Sequence, residues 1–241
     1  MMGVPMHPFS MRETLAVIES RLKHVGFTQH VVVNVAKLVT MQTDLNLRAA
    51  VLACDIINID GLGVVWGARF LGFNVPERVA GIDLFLQLLQ FASTHSEPVF
   101  FLGAKPDVIN RSVDNIRQRF PNLKIAGYHH GFFWDNEHEV VAAIHSSKAT
   151  FLFVGITSPK KEEFINRWRE HLGVKFAMGV GGSFDIFAGI TKRAPEWMQR
   201  VGLEWFYRIL QEPRRMWKRY LVGNSKFIYL VFKQLHYGSR Y

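Results

Sequence analysis

The chain has 241 residues, one cysteine and a formal net charge of +9, which is enough chain for one α/β domain with a small appendage. A single cysteine, Cys54, excludes a disulfide framework and a cysteine-rich zinc site, and fits a reducing, cytoplasmic setting. We expect no signal peptide, because no basic region followed by a long apolar stretch appears at the N-terminus. We expect no transmembrane helix, because no run of about 18 apolar residues lacks a charge.

The first third of the chain predicts two strands, each bordered by helices. Residues 1–9 show no periodicity, so we expect them to be loose. Ser10, with Glu13 three positions on, predicts a capping box at the start of a helix. The β-branched run at 30–35 predicts a strand, and residues 36–53 predict one helix that packs Cys54 near its end.

The second strand ends at Asp60, beside Gly61, after a short β-branched run. In an open α/β sheet, ligands bind beyond the carboxyl ends of the strands, so a carboxylate at this position could meet a substrate. The alternative is an ordinary Asp-Gly turn that closes the strand. Local sequence alone favours the turn.

The second half of the chain alternates short apolar strands with helices. The predicted strands are 98–103, 123–127, 150–155 and 175–182. Such alternation predicts right-handed βαβ units and a Rossmann-like, mainly parallel sheet flanked by helices, with a small helical C-terminal appendage. We place the α/β core at 1–192 and the appendage at 193–241; strand order is not visible in the sequence.

Three glycine-containing loops follow predicted strands and open helices, at 103–107, 155–163 and 179–185. Exposed N–H groups at helix starts favour phosphate, so the loops indicate a nucleotide pocket, although glycine also serves tight turns. The pattern at 179–182 is neither a dinucleotide fingerprint nor a P-loop. The acidic run at 135–139 fits a helix cap better than a metal site, and no D-x-D pair occurs.

The C-terminal fifty residues hold most of the positive charge. Residues 191–241 contain eleven Lys or Arg and three Asp or Glu, whereas 1–190 carry a net charge of only +1. Within 212–221 four cations share one helical face, and Trp217, Tyr220 and Leu221 occupy the adjoining face. This combination is typical of a membrane interface. A solvated packing helix and a nucleic-acid-binding helix are the alternatives; no recognised nucleic-acid-binding fold accompanies the charge.

Several segments carry a resemblance that spans about 31–232. They are DG-x-G (60–63), ERVAGIDL (77–84), FLGAKPDV (101–108), PKKEEFINRW (159–168) and the stretch from GVGGSFDIFAG to KRAPEWMQRVGLEWFYRILQEPRRMWKRYL (179–221). With them the chain resembles the WecG/TagA/CpsF glycosyltransferases. The resemblance implies transfer of a sugar from a UDP-sugar to an undecaprenyl-diphosphate-linked sugar, with anomeric inversion and neither metal nor cofactor. It also implies surface polysaccharide synthesis by a peripheral enzyme on the inner face of the bacterial cytoplasmic membrane.

The resemblance implies roles for single residues. Asp60 matches the general base, and Arg78 matches a pocket residue that could help neutralise the departing diphosphate. Asp185 matches a residue near the nucleoside. The other expected substrate-binding residues are Asn34, Gly103, Lys105, Phe132, Lys161, Gly181, Gly182 and, from the appendage, Arg208, Arg215 and Arg219.

Three departures from the family pattern leave the donor sugar open. Val32 removes a hydroxyl, Lys161 replaces an amide with a cation, and Phe132 lacks a phenol that the family often has. These changes keep a competing hypothesis in view, a nucleotide-sugar-binding partner of a membrane glycosyltransferase that does not itself catalyse. A homo-oligomer also stays open, and the acceptor sugar and linkage are not visible in the sequence.

Overall fold

The structure, a computed structural model, describes residues 1–238. Inside the last helix it does not describe the side chains of Arg214, Arg215, Met216, Lys218, Arg219 and Tyr237.

The described chain alternates helices and strands. Its first half holds α1 (Met11–His24), β1 (Thr28–Val33), α2 (Val35–Thr40), α3 (Leu45–Leu52), β2 (Ile56–Ile59), α4 (Leu62–Phe70), α5 (Gly81–Thr94), β3 (Val99–Gly103) and α6 (Pro106–Arg119). After these come β4 (Ile125–His129), a 3-10 turn (Trp134–Asn136), α7 (Glu137–Ser146), β5 (Phe151–Gly155), α8 (Lys160–Trp168), β6 (Phe176–Gly179) and α9 (Ser183–Phe187). The C-terminal helices are α10 (Glu196–Arg200), α11 (Glu204–Gln211) and α12 (Pro213–Tyr237).

The six strands form one parallel sheet in the order β2-β1-β6-β5-β3-β4, which confirms the predicted Rossmann-like α/β class. Val33 pairs with Ile59, so Asn34 and Asp60 follow the ends of neighbouring strands. The chain lays β2 on one side of β1 and the remaining strands on the other. Ligand crevices of open α/β sheets form where the strand order reverses, which here is beside β1 and β6.

A layer of helices covers each face of the sheet, and successive side chains along each strand pack against one layer and then the other. On one face Phe101, Phe151 and Phe153 pack against α1, α5, α6 and α9. On the other, Leu102 and Leu152 pack against α7 and α8. The period of two along each strand sends neighbouring residues to opposite layers, and both layers are apolar because strands of a parallel sheet are covered on both faces.

The prediction of a single helix at 36–53 is wrong. The structure has two helices, because the Asp44 side chain accepts a hydrogen bond from the Leu47 N–H at 2.9 Å and starts α3 anew. This is the N-cap preference of aspartate, which interrupts a pattern that is apolar enough to read as continuous. Cys54 lies in the loop after α3 and not in a helix; burial raises the pKa of its thiol to about 12.

The expectation of a loose N-terminus is also wrong. Met2 and Val4 are buried, the Met2 N–H donates to the Gln234 side chain of α12 at 2.9 Å, and His7 forms a parallel bridge with Asn58 of β2. This N-terminal strap, residues 1–9, lacks periodicity because it begins with a turn and belongs to no helix or strand. Helix α1 does begin with the predicted capping box at Ser10.

Helix α12 packs on the helical layer that contains α2 and α4. Phe227 and Val231 of α12 are buried with Met2, Val4 and the apolar face of α4. Helices α10 and α11 are separated at Gly202, which has a positive φ of 78°. Among the described residues, no helix has both the length and the apolar character needed to cross a membrane. The division of the chain near residue 193 stays a prediction.

Truncating Phe227 should test how far α12 depends on this packing. Phe227→Ala removes a side chain that is 5% exposed, so we expect the free energy of unfolding to fall by about 3 kcal/mol in urea titrations. Tyr229→Ala, on the same helix at 65% exposure, serves as the control and should lose far less stability. Equal losses for the two variants would contradict this packing.

Candidate active site at the carboxyl edge of the sheet

Asp60 stands directly beyond the end of β2. Its N–H donates to the Val33 carbonyl at 2.9 Å, which continues the β1–β2 ladder by one residue. Gly61 then takes a φ of +90°, a conformation that favours glycine, and turns the chain into α4. The Gly81 N–H at the start of α5 donates to the Asp60 carboxylate. The carboxylate is therefore held at the mouth of the sheet between two helix starts.

The surroundings of Asp60 raise the pKa of its carboxyl group from 3.8 to about 6. Burial is the main cause, and the negative charge of Glu204 acts in the same direction. The guanidinium groups of Arg78 and Arg208 and the Gly81 N–H oppose the rise. A carboxylate with a pKa close to working pH suits proton abstraction, because it is ionised near neutrality yet accepts a proton more readily than ordinary aspartate.

A cavity of about 630 Å³ opens over Asp60 and has a polar end and an apolar end. The side chains at the polar end are those of Asn34, Asp60, Arg78, Ser183, Glu204 and Arg208. At the apolar end, α4 and α12 supply Trp66, Phe70, Phe227, Ile228, Val231 and Phe232. One space thus joins a charged group of residues to an aromatic wall, as a substrate with a polar head and an apolar chain would require.

Glu204 connects two arginines at the polar end. Its Oε2 lies 3.2 Å from Nη1 of Arg78, and its Oε1 lies 3.9 Å from Nη2 of Arg208, four residues along α11. Nearby, both terminal nitrogens of Arg193 donate to the Asp83 carboxylate, at 2.6 and 2.7 Å. The hydrogen bond with Asp83 raises the pKa of Arg193 against the effect of burial. The Arg78–Glu204 and Arg193–Asp83 ion pairs therefore join the C-terminal segment to the core beside Asp60.

The structure brings together five of the predicted site residues around this cavity. They are Asn34, Asp60, Arg78, Gly182 and Arg208. The Asn34 side-chain oxygen is already used, since it caps α2 by accepting from the Lys37 N–H at 3.0 Å. Arg215 and Arg219 fall within α12, but their side chains lie outside the described part of the chain.

Six other predicted residues share the same sheet edge without lining this cavity. They are Gly103, Lys105, Phe132, Lys161, Gly181 and Asp185. Gly103 sits where β3 and β5 approach closely: a Cβ there would come within 2.5 Å of the Gly155 backbone, so a packing need explains this glycine. Lys105 and Phe132 are exposed. The substrate roles of all six stay predictions.

Lys161 belongs to a buried group of charges beneath the edge. Its Nζ is 3.4 Å from the Glu162 carboxylate, which also accepts from Nζ of Lys37 at 2.7 Å. Burial raises the pKa of Glu162, but the two lysines outweigh it, and the pKa is lowered overall. The stem of Lys161 covers Gly179, where a Cβ would meet it at 2.6 Å. Lys161, which departs from the family pattern, therefore has a carboxylate partner, Glu162, in the first turn of α8.

The acidic run at 135–139 forms the 3-10 turn and the first turn of α7, which confirms its interpretation as a helix start. Among residues 1–238, no three His, Cys, Asp or Glu side chains cluster closely enough to hold a metal ion.

Sequence reasoning missed Glu204, the Arg193–Asp83 pair and the aromatic wall. Arg78 and Glu204 are 126 positions apart, and spacing along the chain gives no sign that they meet. A local signal did exist for Glu204, because it precedes Arg208 by four residues on a helix, a spacing that favours an ion pair.

A carboxylate and arginines in a cleft at the carboxyl edge of a parallel sheet are the arrangement expected of an α/β enzyme. The model of the glycosyl transferase WecG/TagA/CpsF family matches residues 1–240, so the chain belongs to this family and is a glycosyltransferase.

Two curated relatives carry the same name, N-acetylglucosaminyldiphosphoundecaprenol N-acetyl-beta-D-mannosaminyltransferase. The relative from Bacillus subtilis (strain 168) is 42% identical over 175 residues, covering 73% of this chain and 67% of its own. The relative from Bacillus spizizenii (strain ATCC 23059 / NRRL B-14472 / W23) is 39% identical over 186 residues, covering 77% of this chain and 71% of its own. An enzyme is therefore favoured over the non-catalytic binding partner considered above.

The raised pKa of Asp60 predicts a pH-dependent gain in stability for Asp60→Asn. Because the pKa is about 6 in the folded state and 3.8 ordinarily, ionising Asp60 costs the folded state stability as pH rises from about 4 through 6. The amide variant avoids this cost. Its melting temperature relative to the parent protein should therefore be higher at pH 7.5 than at pH 4.5, and a difference that does not change with pH would contradict the raised pKa.

Proposed function

We propose that the chain is an inverting, metal-independent glycosyltransferase that moves a sugar from a UDP-sugar to an undecaprenyl-diphosphate-linked sugar, with Asp60 as the base. The observation that supports this most directly is the position of Asp60, whose pKa is raised to about 6 in a cavity that joins arginines to an aromatic wall. A site of this composition accepts a charged diphosphate at one end and an apolar chain at the other.

In the proposed step the acceptor hydroxyl attacks the anomeric carbon from the face opposite the diphosphate. Asp60 takes the hydroxyl proton, a new C–O bond forms, and the bond to UDP breaks with its electron pair going to the diphosphate. Direct displacement inverts the anomeric centre. Arg78 and Arg208 stabilise the charge that develops on the leaving group, a role for which guanidinium groups suit diphosphate oxygens.

The names of the two relatives guide the choice of substrates. Both specify an N-acetylmannosaminyl donor group and an N-acetylglucosaminyl-diphosphoundecaprenol acceptor. UDP-N-acetylmannosamine is therefore the first donor to test. Its uronic acid and UDP-glucose follow, since Lys161, Phe132 and Val32 depart from the family pattern.

We further propose that the reaction takes place at the inner surface of the bacterial cytoplasmic membrane, where the enzyme docks peripherally. Support comes from the charge of residues 191–241 and from the large apolar side chains that the C-terminal helices leave exposed. Trp217 and Leu221 of α12 are among them, at 53% and 63% exposure. Aromatic and basic residues together favour an anionic membrane surface.

A UDP-release assay with an N-acetylglucosaminyl-diphospho lipid of short prenyl chain tests the proposal. The three UDP-sugars are compared in excess EDTA, and we expect one of them to release UDP and yield a disaccharide lipid of inverted anomeric configuration. Absence of product with all three donors, or activity that EDTA abolishes and added metal restores, would contradict the proposal.

Asp60→Asn is the decisive variant in the same assay. Loss of a general base typically costs about 10²- to 10⁴-fold in rate, so turnover should fall by at least 10²-fold while UDP binding, measured by calorimetry, persists. In the parent enzyme kcat/KM should rise with pH around a midpoint near 6, as Asp60 ionises. Parental turnover in the amide variant would remove Asp60 from the mechanism.

Membrane docking is tested with the double variant Trp217→Ser, Leu221→Ser. Full burial of one large apolar side chain contributes about 1.5–3 kcal/mol, so even partial insertion of the two side chains should make binding to anionic phospholipid vesicles about tenfold tighter than in the double variant. Leu45→Ser is the matched control, because Leu45 is 72% exposed on α3. Vesicle binding that is equal in all three proteins would contradict docking through α12.

A further inference from the structure

Glu204 is an acidic residue at the polar end of the cavity, where negative charge develops on the diphosphate in the proposed reaction. Its side chain is only 18% exposed and lines the cavity together with Asp60 and the two arginines. A carboxylate at this position repels a diphosphate directly. Its presence is explained by what it holds, since each of its two oxygens faces a different arginine, Arg78 at 3.2 Å and Arg208 at 3.9 Å.

The bridge determines where the two guanidinium groups lie. Arg78 uses one Nη1 donor for Glu204, so the other N–H groups of its planar fork remain for an oxyanion. Arg208 is about half exposed, at 49%, and its long side chain would gain freedom in solvent without a partner. Two adjacent guanidinium groups also repel each other unless a carboxylate lies between them.

Glu204 also belongs to the charges that surround Asp60. The loop before α5 brings Arg78, the first turn of α5 brings Asp83 and the Gly81 N–H, and α11 brings Glu204 and Arg208. Arg193, paired with Asp83, is electrostatically coupled to both Asp60 and Glu204. Among these described groups, Glu204 is a negative charge that favours the protonated form of Asp60.

We propose that Glu204 is a positioning residue for this reaction: it bridges Arg78 and Arg208 so that both face the diphosphate. Its negative charge also adds to the effect of burial, which is the main cause of the raised proton affinity of Asp60. The inference rests on the proposed function. Helix α11 thereby supplies both Arg208, a cation of the site, and Glu204, the carboxylate that holds this cation in position. In this role Glu204 acts through the two arginines and not on the reacting atoms.

Glu204→Gln tests the proposal because it keeps the shape of the side chain and removes the charge. We expect kcat to fall about tenfold, since the arginines lose their common partner. The midpoint of the pH profile of kcat/KM should also fall by about half a unit, because a like charge near Asp60 is gone. A merely structural role would change kcat without moving the midpoint.

Two further variants make the test specific. Glu204→Asp keeps the charge and should restore the parental pH midpoint, with kcat between those of the parent and the amide variant. Glu196→Gln is the control, because Glu196 is exposed on the neighbouring helix α10 and pairs only loosely with Arg200, at 3.5 Å. It should match the parent in both kcat and midpoint.

A pH midpoint in Glu204→Gln equal to that of the parent would overturn the proposal, as would equal losses in the aspartate and glutamine variants. Failure of the proposed function looks different. In that case the parent enzyme would release no UDP from any donor, or Asp60→Asn would turn over normally, whatever the Glu204 variants do.

Discussion

The site depends on the balance between the burial of one carboxylate and the charges placed around it. Asp60 is fixed by the end of β2, but the groups that tune its pKa come from the loop before α5 and from α11. The sheet therefore positions the carboxylate but does not supply the charged groups that tune its pKa. Burial is the main cause that raises the pKa to about 6, and α11 adds two opposing charges, since Glu204 raises the pKa and Arg208 lowers it.

Much of the frame could be predicted because it depends on local patterns. Short β-branched and aromatic runs identified six strands, and the parallel class followed from their alternation with helices. The adjacency of Asn34 and Asp60 follows from the same reasoning, since parallel neighbours end at one edge. The observed strands β1 and β4 begin and end about two residues from the predicted limits, where no local feature marks the boundary.

Features that depend on contacts distant in sequence could not be predicted. The N-terminal strap is ordered by Gln234 and by the buried face of α12, more than 200 positions away. The Arg78–Glu204 pair is similarly invisible, although both residues stood in segments that carried the family resemblance. A glycine in a loop after a strand can have either of two causes, and the sequence does not distinguish them. Gly103 is required because β3 and β5 approach closely there, and a phosphate-binding turn would require a glycine at the same kind of position.

The charges of the described cavity set a condition on how it can bind a diphosphate. Asp60 and Glu204, when ionised, cancel Arg78 and Arg208, so these four side chains give the polar end no net positive charge. Their arrangement can orient an anion but attracts it only weakly. In the proposed reaction the attraction must come from further cations, and residues 191–241 carry a net charge of +8. The same C-terminal segment would then draw in both the anionic membrane and the diphosphate, which makes donor affinity and membrane docking depend on one set of charges.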